Sequence, residues 1–187
     1  MNGIDDFYKF FKTFIGLIVA GVATTALVLV TALIDIAPPW PVAIVQITAI
    51  VQLIALVLVY QMLSKANRNT INRKMKNNLL FLLIFAILYF SLFSLLIFKM
   101  PNEDIGVKGL FCSVDAYNLF ADTCPFLQEA QIATANYEAE KLWTPLGITA
   151  SRILLLIAWI GSFATLVNLF ACFVVYQHNQ ASVKKAG

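Results

Sequence analysis

The chain is poor in the side chains that do chemistry. It has one histidine and three cysteines, and charged residues make up only 12% of its 187. A single imidazole, His178, gives no cluster to hold a metal. There is no Ser/His/Asp arrangement, no H-E-x-x-H, no phosphate-cradling glycine loop and no pair of acids inside an apolar run. These absences argue against an enzyme, and neither a cofactor nor a metal is expected. The excess of base over acid is also small, 13 Lys and Arg against 10 Asp and Glu. A net +3 spread along the chain is too little to predict a nucleic-acid partner.

What is abundant is apolar surface. Hydrophobic residues make up 60% of the chain, and the mean hydropathy is +0.82. That is far above the roughly half-apolar composition of a soluble domain, and it predicts an all-α polytopic membrane protein with the lipid bilayer as its first partner. Four runs reach the roughly 20 residues that a helix needs to cross a hydrocarbon core. They are Phe14 to Ile36, Pro41 to Leu63, Leu79 to Phe98 and Ile148 to Tyr176. The first starts far from Met1 and lacks a basic start and a small-residue cleavage site, so it is expected to be kept as a span.

Charge placement predicts the orientation. Lys9 and Lys12 precede the first span, Lys65, Arg68, Arg73, Lys74 and Lys76 fill the link 64–78, and Lys184 and Lys185 end the tail 178–187. The segment 99–147 instead holds Glu103, Asp104, Asp115, Asp122, Glu129, Glu138 and Glu140 against Lys99, Lys108 and Lys141. By the positive-inside bias both termini are cytoplasmic and 99–147 is an extracytoplasmic cap. The predicted organisation is an inner-interface amphipathic segment 1–13, three spans within 14–98, the cap, a fourth span 148–177 and the tail. The layout resembles that of tetraspanins in topology alone, since no Cys-Cys-Gly motif is present.

The first two runs are separated by DIAPPWP, residues 35–41. Proline lacks an N–H donor and biases the preceding residue away from helix, so this stretch reads as the short outer turn of a helical hairpin. Trp40, and Trp143 at the return to the membrane, suit the headgroup layer. Asp35 sits at the outer rim. Ala20, Thr24, Thr31 and Asp35 share one helical stripe, with Gly16 and Ala20, and Gly21 and Thr25, spaced by four for close helix approach. In the second span Gln52 falls near mid-membrane, level with Thr24 and Thr25. It needs a protein partner or water there. An interhelical hydrogen bond is the simpler reading and a polar line along a conduit the sharper one. The fourth span adds Asn168 and small residues spaced by four, while the third is dominated by Leu, Ile and aromatics and reads as the most lipid-facing.

Cys112 and Cys124 both lie in the cap, an oxidising side, and are expected to form a disulfide; no C-x-x-C suggests redox exchange. Thr123 as N-cap and CPFLQEAQIATANYEAEKLW read as one cap helix ending at Thr144-Pro145. The segment DDFYKFFKTF and the basic link read first as interface anchor and topology determinant, and second as sites for a cytoplasmic ligand. The outer segment carries no N-x-S/T acceptor, which favours a bacterial inner membrane, whereas the KKAG end matches an endoplasmic-reticulum retrieval pattern. The functional expectation is a homo-oligomeric gated ion-conducting pore or membrane-permeabilising effector, with Thr24, Thr31, Asp35, Gln52 and Asn168 as pore or packing residues. The alternative is a non-catalytic accessory or scaffold subunit of a larger membrane complex.

Overall fold

The computed structural model describes residues 3–63, 66–101 and 104–183, with side chains described between residues 15 and 177 except at Leu17. The fold is mainly helical, with four long helices: α1 (Gly3–Leu33), α2 (Ile44–Leu63), α3 (Arg68–Leu96) and α7 (Pro145–Val183). Among the described residues three helices are long and apolar enough to cross a membrane: Ile44–Leu63, Arg68–Leu96 and Pro145–Gln177, with mean hydropathies of 2.1, 2.8 and 2.2. At 1.5 Å per residue the 20 residues of α2 rise about 30 Å, the thickness of the hydrocarbon core. Within α1 the described apolar stretch is Ile18–Leu33.

α1 ends at Leu33, three residues short of the expected Ile36. Asp35 takes a left-handed backbone at φ 55°, and the N–H groups of Ile36 and Ala37 donate to Thr31 O at 3.0 and 3.2 Å, closing the helix end before the prolines. Other boundaries differ from expectation. α3 starts at Arg68 because RNTINRKMKNN contains neither proline nor glycine to break it, so the basic link is largely helix. α1 likewise runs back to Gly3 without a break at residue 13. The side chains of Phe7, Lys9, Phe10, Phe11, Lys12 and Phe14 lie outside the described residues, as do Lys65, Glu103, His178, Lys184 and Lys185.

The chain divides into two compact units. The first holds residues 1–37, 43–85 and 160–187. Here two glycines sit where a neighbouring helix leaves no room: a Cβ on Gly16 would lie 2.9 Å from Val174 Cγ1, and one on Gly161 2.7 Å from the Phe85 ring. Leu63, Ile71, Cys172 and Val175 form a buried cluster flanked by Tyr60 and Tyr176. Arg68 covers its edge, donating from Nη2 to Tyr176 Oη at 2.7 Å with its guanidinium 4.9 Å from the ring centroid. Gly161→Leu should therefore cost about 1 to 3 kcal/mol through overpacking against Phe85. Leu88→Phe, on an exposed position of α3, should be nearly silent. Thermal unfolding of the detergent-solubilised protein reads both, and equal effects would remove the distinction. Only 11% of the apolar window of α3 is buried, against 17% in α2 and 28% in α7.

The second unit holds residues 38–42 and 86–159. Beyond α3 the chain forms an antiparallel ribbon of β1 (Ile97–Lys99) and β2 (Ile105–Val107), pairing Phe98 with Gly106. Three short helices follow: α4 (Val114–Phe120), α5 (Glu129–Thr134) and α6 (Ala139–Leu142). Ser113 caps α4, its hydroxyl accepting from Ala116 N. The core of this segment is Phe98, Ala116, Leu127, Ile132, Leu142, Trp143 and Ile148. The expected single helix over 124–143 is broken: Gln128, not Thr123, caps α5, and positive φ at Asn136 and Tyr137 turns the chain before α6. Trp143 is also not an interface anchor. It is fully buried, and its Nε1 donates to Pro125 O at 2.9 Å. Gly109 leaves room for Trp143, whose Cβ an added Cβ would meet at 2.5 Å, and Gly147 leaves room for the backbone of Phe111, whose N one would meet at 2.8 Å.

Candidate functional site

Among the described residues the most extensive helix–helix contact is that of α1 with α2. Ala20, Thr24 and Val28 form the buried stripe of α1, and Ile44, Thr48 and Gln52 that of α2, each spaced by four. Across the pair, Thr25 on α1 meets Gln52 on α2 and Gly21 faces Leu56, and small residues spaced by four allow such approach in lipid.

The threonines look polar in sequence but are chemically quiet. Thr24 Oγ1 donates to Ala20 O or Gly21 O at 3.1 and 3.0 Å, Thr31 Oγ1 to Leu27 O or Val28 O at 3.1 and 2.8 Å, and Thr48 Oγ1 to Ile44 O at 2.7 Å. Each hydroxyl is satisfied by its own helix. A glutamine amide has no such local solution. Gln52 is 2% exposed, and its Oε1 accepts from Thr25 Oγ1 at 3.4 Å. Thr25 has one hydroxyl proton, and its nearer acceptor is Gly21 O at 3.0 Å. The Gln52 amide nitrogen has no hydrogen-bond partner.

The structure thus joins Gln52 to Thr25, while Thr24, fully buried on the adjacent stripe, serves the helix backbone. Thr31 lies further along α1, and Asp35 is exposed beyond the helix end. Asn168 on α7 has its Oδ1 buried without a partner. In the second unit Ser151 Oγ and Arg152 Nε are buried without partners. The sequence places Thr25 level with Gln52, where the two side chains meet, and the spacing 44, 48, 52 carries the signal for the buried stripe of α2.

Beside the Thr25–Gln52 contact α1 and α2 part to leave an apolar groove of about 810 Å³. Gly21, Thr25 and Gln52 line it at mid-length, and Tyr60 and Gln61 line one end.

Outside the helical spans the electrostatics are sparse. Burial pushes the Lys108 ammonium below the usual lysine range, and its Nζ donates to Leu127 O at 3.0 Å. Cys112 and Cys124 are joined as a disulfide. Among the described residues no group of three or more His, Cys, Asp or Glu is placed to hold a metal ion. Comparison of the chain with protein-family models, curated proteins and solved structures returned no match.

Proposed function

We propose that the chain is a four-span membrane protein with both termini cytoplasmic, which assembles with its own copies into a gated ion-conducting pore. The observation that carries this reading is the Gln52 amide, 2% exposed within a helix of membrane-spanning length and unpartnered at nitrogen. An unpaired amide in hydrocarbon costs several kcal/mol, so a conformation in which the helices part to admit water at Gln52 is favoured by its side chain. Asp35, exposed at the end of α1, would supply the carboxylate at an outer mouth, and the acidic segment beyond α3 would concentrate cations there. The amino-terminal segment and the basic start of α3 are the proposed sites of a cytoplasmic gating ligand. Ion flux into vesicles containing the purified protein tests the reading.

A second reading, an accessory subunit that uses the same faces only for packing, is favoured by the threonines, whose hydroxyls all turn back onto their own helices. A symmetric ring among single-particle images supports the pore, and a monomer the accessory subunit.

The orientation rests on charge. Arg68, Arg73, Lys74 and Lys76 open α3 with no acid in its first turn, whereas the segment after α3 is acidic. A bacterial inner membrane is the proposed home. In intact cells, cysteine placed at Asn69 should be shielded from a membrane-impermeant thiol reagent and cysteine at Asp122 should react. Labelling at Asn69 would overturn the map.

A further inference from the structure

We infer that Arg68 and Tyr176 hold the phosphate of an anionic phospholipid headgroup at the cytoplasmic end of the spans. The inference names the ligand of the site proposed above at the start of α3, and rests on that reading for the side of the membrane.

The site is built from two helices of one unit. α3 begins at Arg68, and Tyr176 lies one residue from the end of the membrane-length stretch of α7, Pro145–Gln177. Arg68 Nε and Nη2 both donate to Tyr176 Oη, at 3.1 and 2.7 Å, and the guanidinium carbon lies 4.9 Å from the ring centroid. Two of the five guanidinium N–H groups are thus committed to one oxygen, and three remain. Tyr176 Oη accepts both bonds and keeps its own proton to donate. A fixed fork of N–H groups beside a hydroxyl is a donor set that suits a phosphate.

What these helices lack is the anion. No Asp or Glu occurs between Asp35 and Glu103 or after Glu140, so α2, α3 and α7 supply none. Among the described residues Arg68 makes no ion pair. α3 opens on Arg68 with no acid in its first turn, although a helix start favours negative charge. The positive-inside bias accounts for the number of cations here but not for the order of one. A topology signal needs only charge, whereas Arg68 gives up side-chain freedom to meet a neutral phenol.

Depth selects a lipid over a soluble anion. Tyr176 flanks the buried cluster of Leu63, Ile71, Cys172 and Val175, so the fork stands where apolar packing ends. A phosphate already held at that boundary by its acyl chains loses less freedom on binding than one recruited from solution. Arg73 and Lys76, both exposed on α3, add the field that favours a net-negative headgroup over a zwitterionic one.

The test is lipid binding by the purified full chain, read by native mass spectrometry with phosphatidylglycerol and phosphatidylcholine of the same acyl chains. Phosphatidylglycerol should bind about fivefold to tenfold more tightly. Arg68→Gln should weaken it about tenfold, the effect of losing charge-assisted hydrogen bonds. Arg68→Lys keeps the charge but not the fork and should recover only part of that loss. Tyr176→Phe keeps the ring and should cost about threefold. Arg73→Gln should matter less than Arg68→Gln, and thermal unfolding of each variant in lipid-free detergent should match the parent.

Equal retention of the two lipids, equal losses at Arg68 and Arg73, or full recovery by lysine overturns the inference. So does displacement of phosphatidylglycerol by millimolar inorganic phosphate, which would make the site one for a soluble anion. Selective lipid binding without ion flux leaves this site standing and removes conduction. Flux without selective binding leaves the pore and removes this site.

Discussion

Replacing Cys112 with serine is expected to leave the long helices folded and to loosen the segment between β2 and α7. The disulfide closes a sequence separation of 12 residues around α4, which the chain-entropy model values at about 3 kcal/mol. Without it, residues 111–113 are still held to 142–144, since Ser113 N donates to Leu142 O and Thr144 N to Phe111 O, both at 2.9 Å. What is freed is the far side of the loop. There Cys124 has its backbone N–H on Phe120 O, and Pro125 keeps a single tie to the indole of Trp143. The amides of α4 should therefore exchange faster while those of α6 change little. Trp143→Ala should do more, costing about 3 to 5 kcal/mol, because it removes the largest buried ring of this core together with the hydrogen bond to Pro125. Hydrogen exchange on the purified protein separates the two outcomes. Unchanged protection of α4 in the serine variant would mean that packing alone holds the segment.

The position of Trp143 shows what sequence carries and what it does not. Apolar run length is a property of composition, so α2, α3 and α7 were legible as membrane-length helices. The end of α1 was legible because proline acts locally. The pairing of Cys112 with Cys124 followed from both lying between the same two spans. Trp143 was misplaced because its position in the chain, just before a span, is the one an interface anchor would occupy; only the fold places Phe98, Leu127 and Ile132 around it. The same packing explains the broken cap helix. EAQIATANYEAEKL has helix-forming composition throughout, yet Ile132 and Leu142 are both buried in one small core. The turn at Asn136 and Tyr137 that separates them overrides local propensity. At the candidate site the level of Gln52 with Thr24 and Thr25 was visible, but not that the threonines would satisfy themselves. Self-satisfaction is geometric, and it leaves Gln52 as the buried side chain of this helix pair with a bond still to make.

Asp35→Asn is expected to lower cation current through reconstituted vesicles by about tenfold at low salt if the hairpin end forms an outer mouth, since focused fields at charged mouths change ion entry by tenfold or more. The effect should shrink as ionic strength rises toward 1 M, where the screening length falls to about 3 Å. Asp35 is exposed, and its backbone N–H donates to Ala32 O at 3.4 Å, so asparagine, which tolerates the same left-handed backbone, should leave folding intact. Gln52→Leu acts at the other end of the argument. It removes the polar group at mid-depth of the α1/α2 hairpin, favouring dewetting of a narrow apolar constriction, so current should fall even when protein incorporation is matched. Gly21→Leu, by contrast, should act on assembly without altering the selectivity of any pores that remain. On the proposed reading the three variants separate selectivity at Asp35, assembly at Gly21 and wetting at Gln52. The measurement is single-channel current with and without added cytoplasmic extract, because a gated pore is closed at rest. If no condition yields current, and Asp35→Asn and Gln52→Leu leave the cellular phenotype of the protein unchanged, the pore reading fails and the hairpin is a packing device whose outer carboxylate is only a solvated charge on a proline turn.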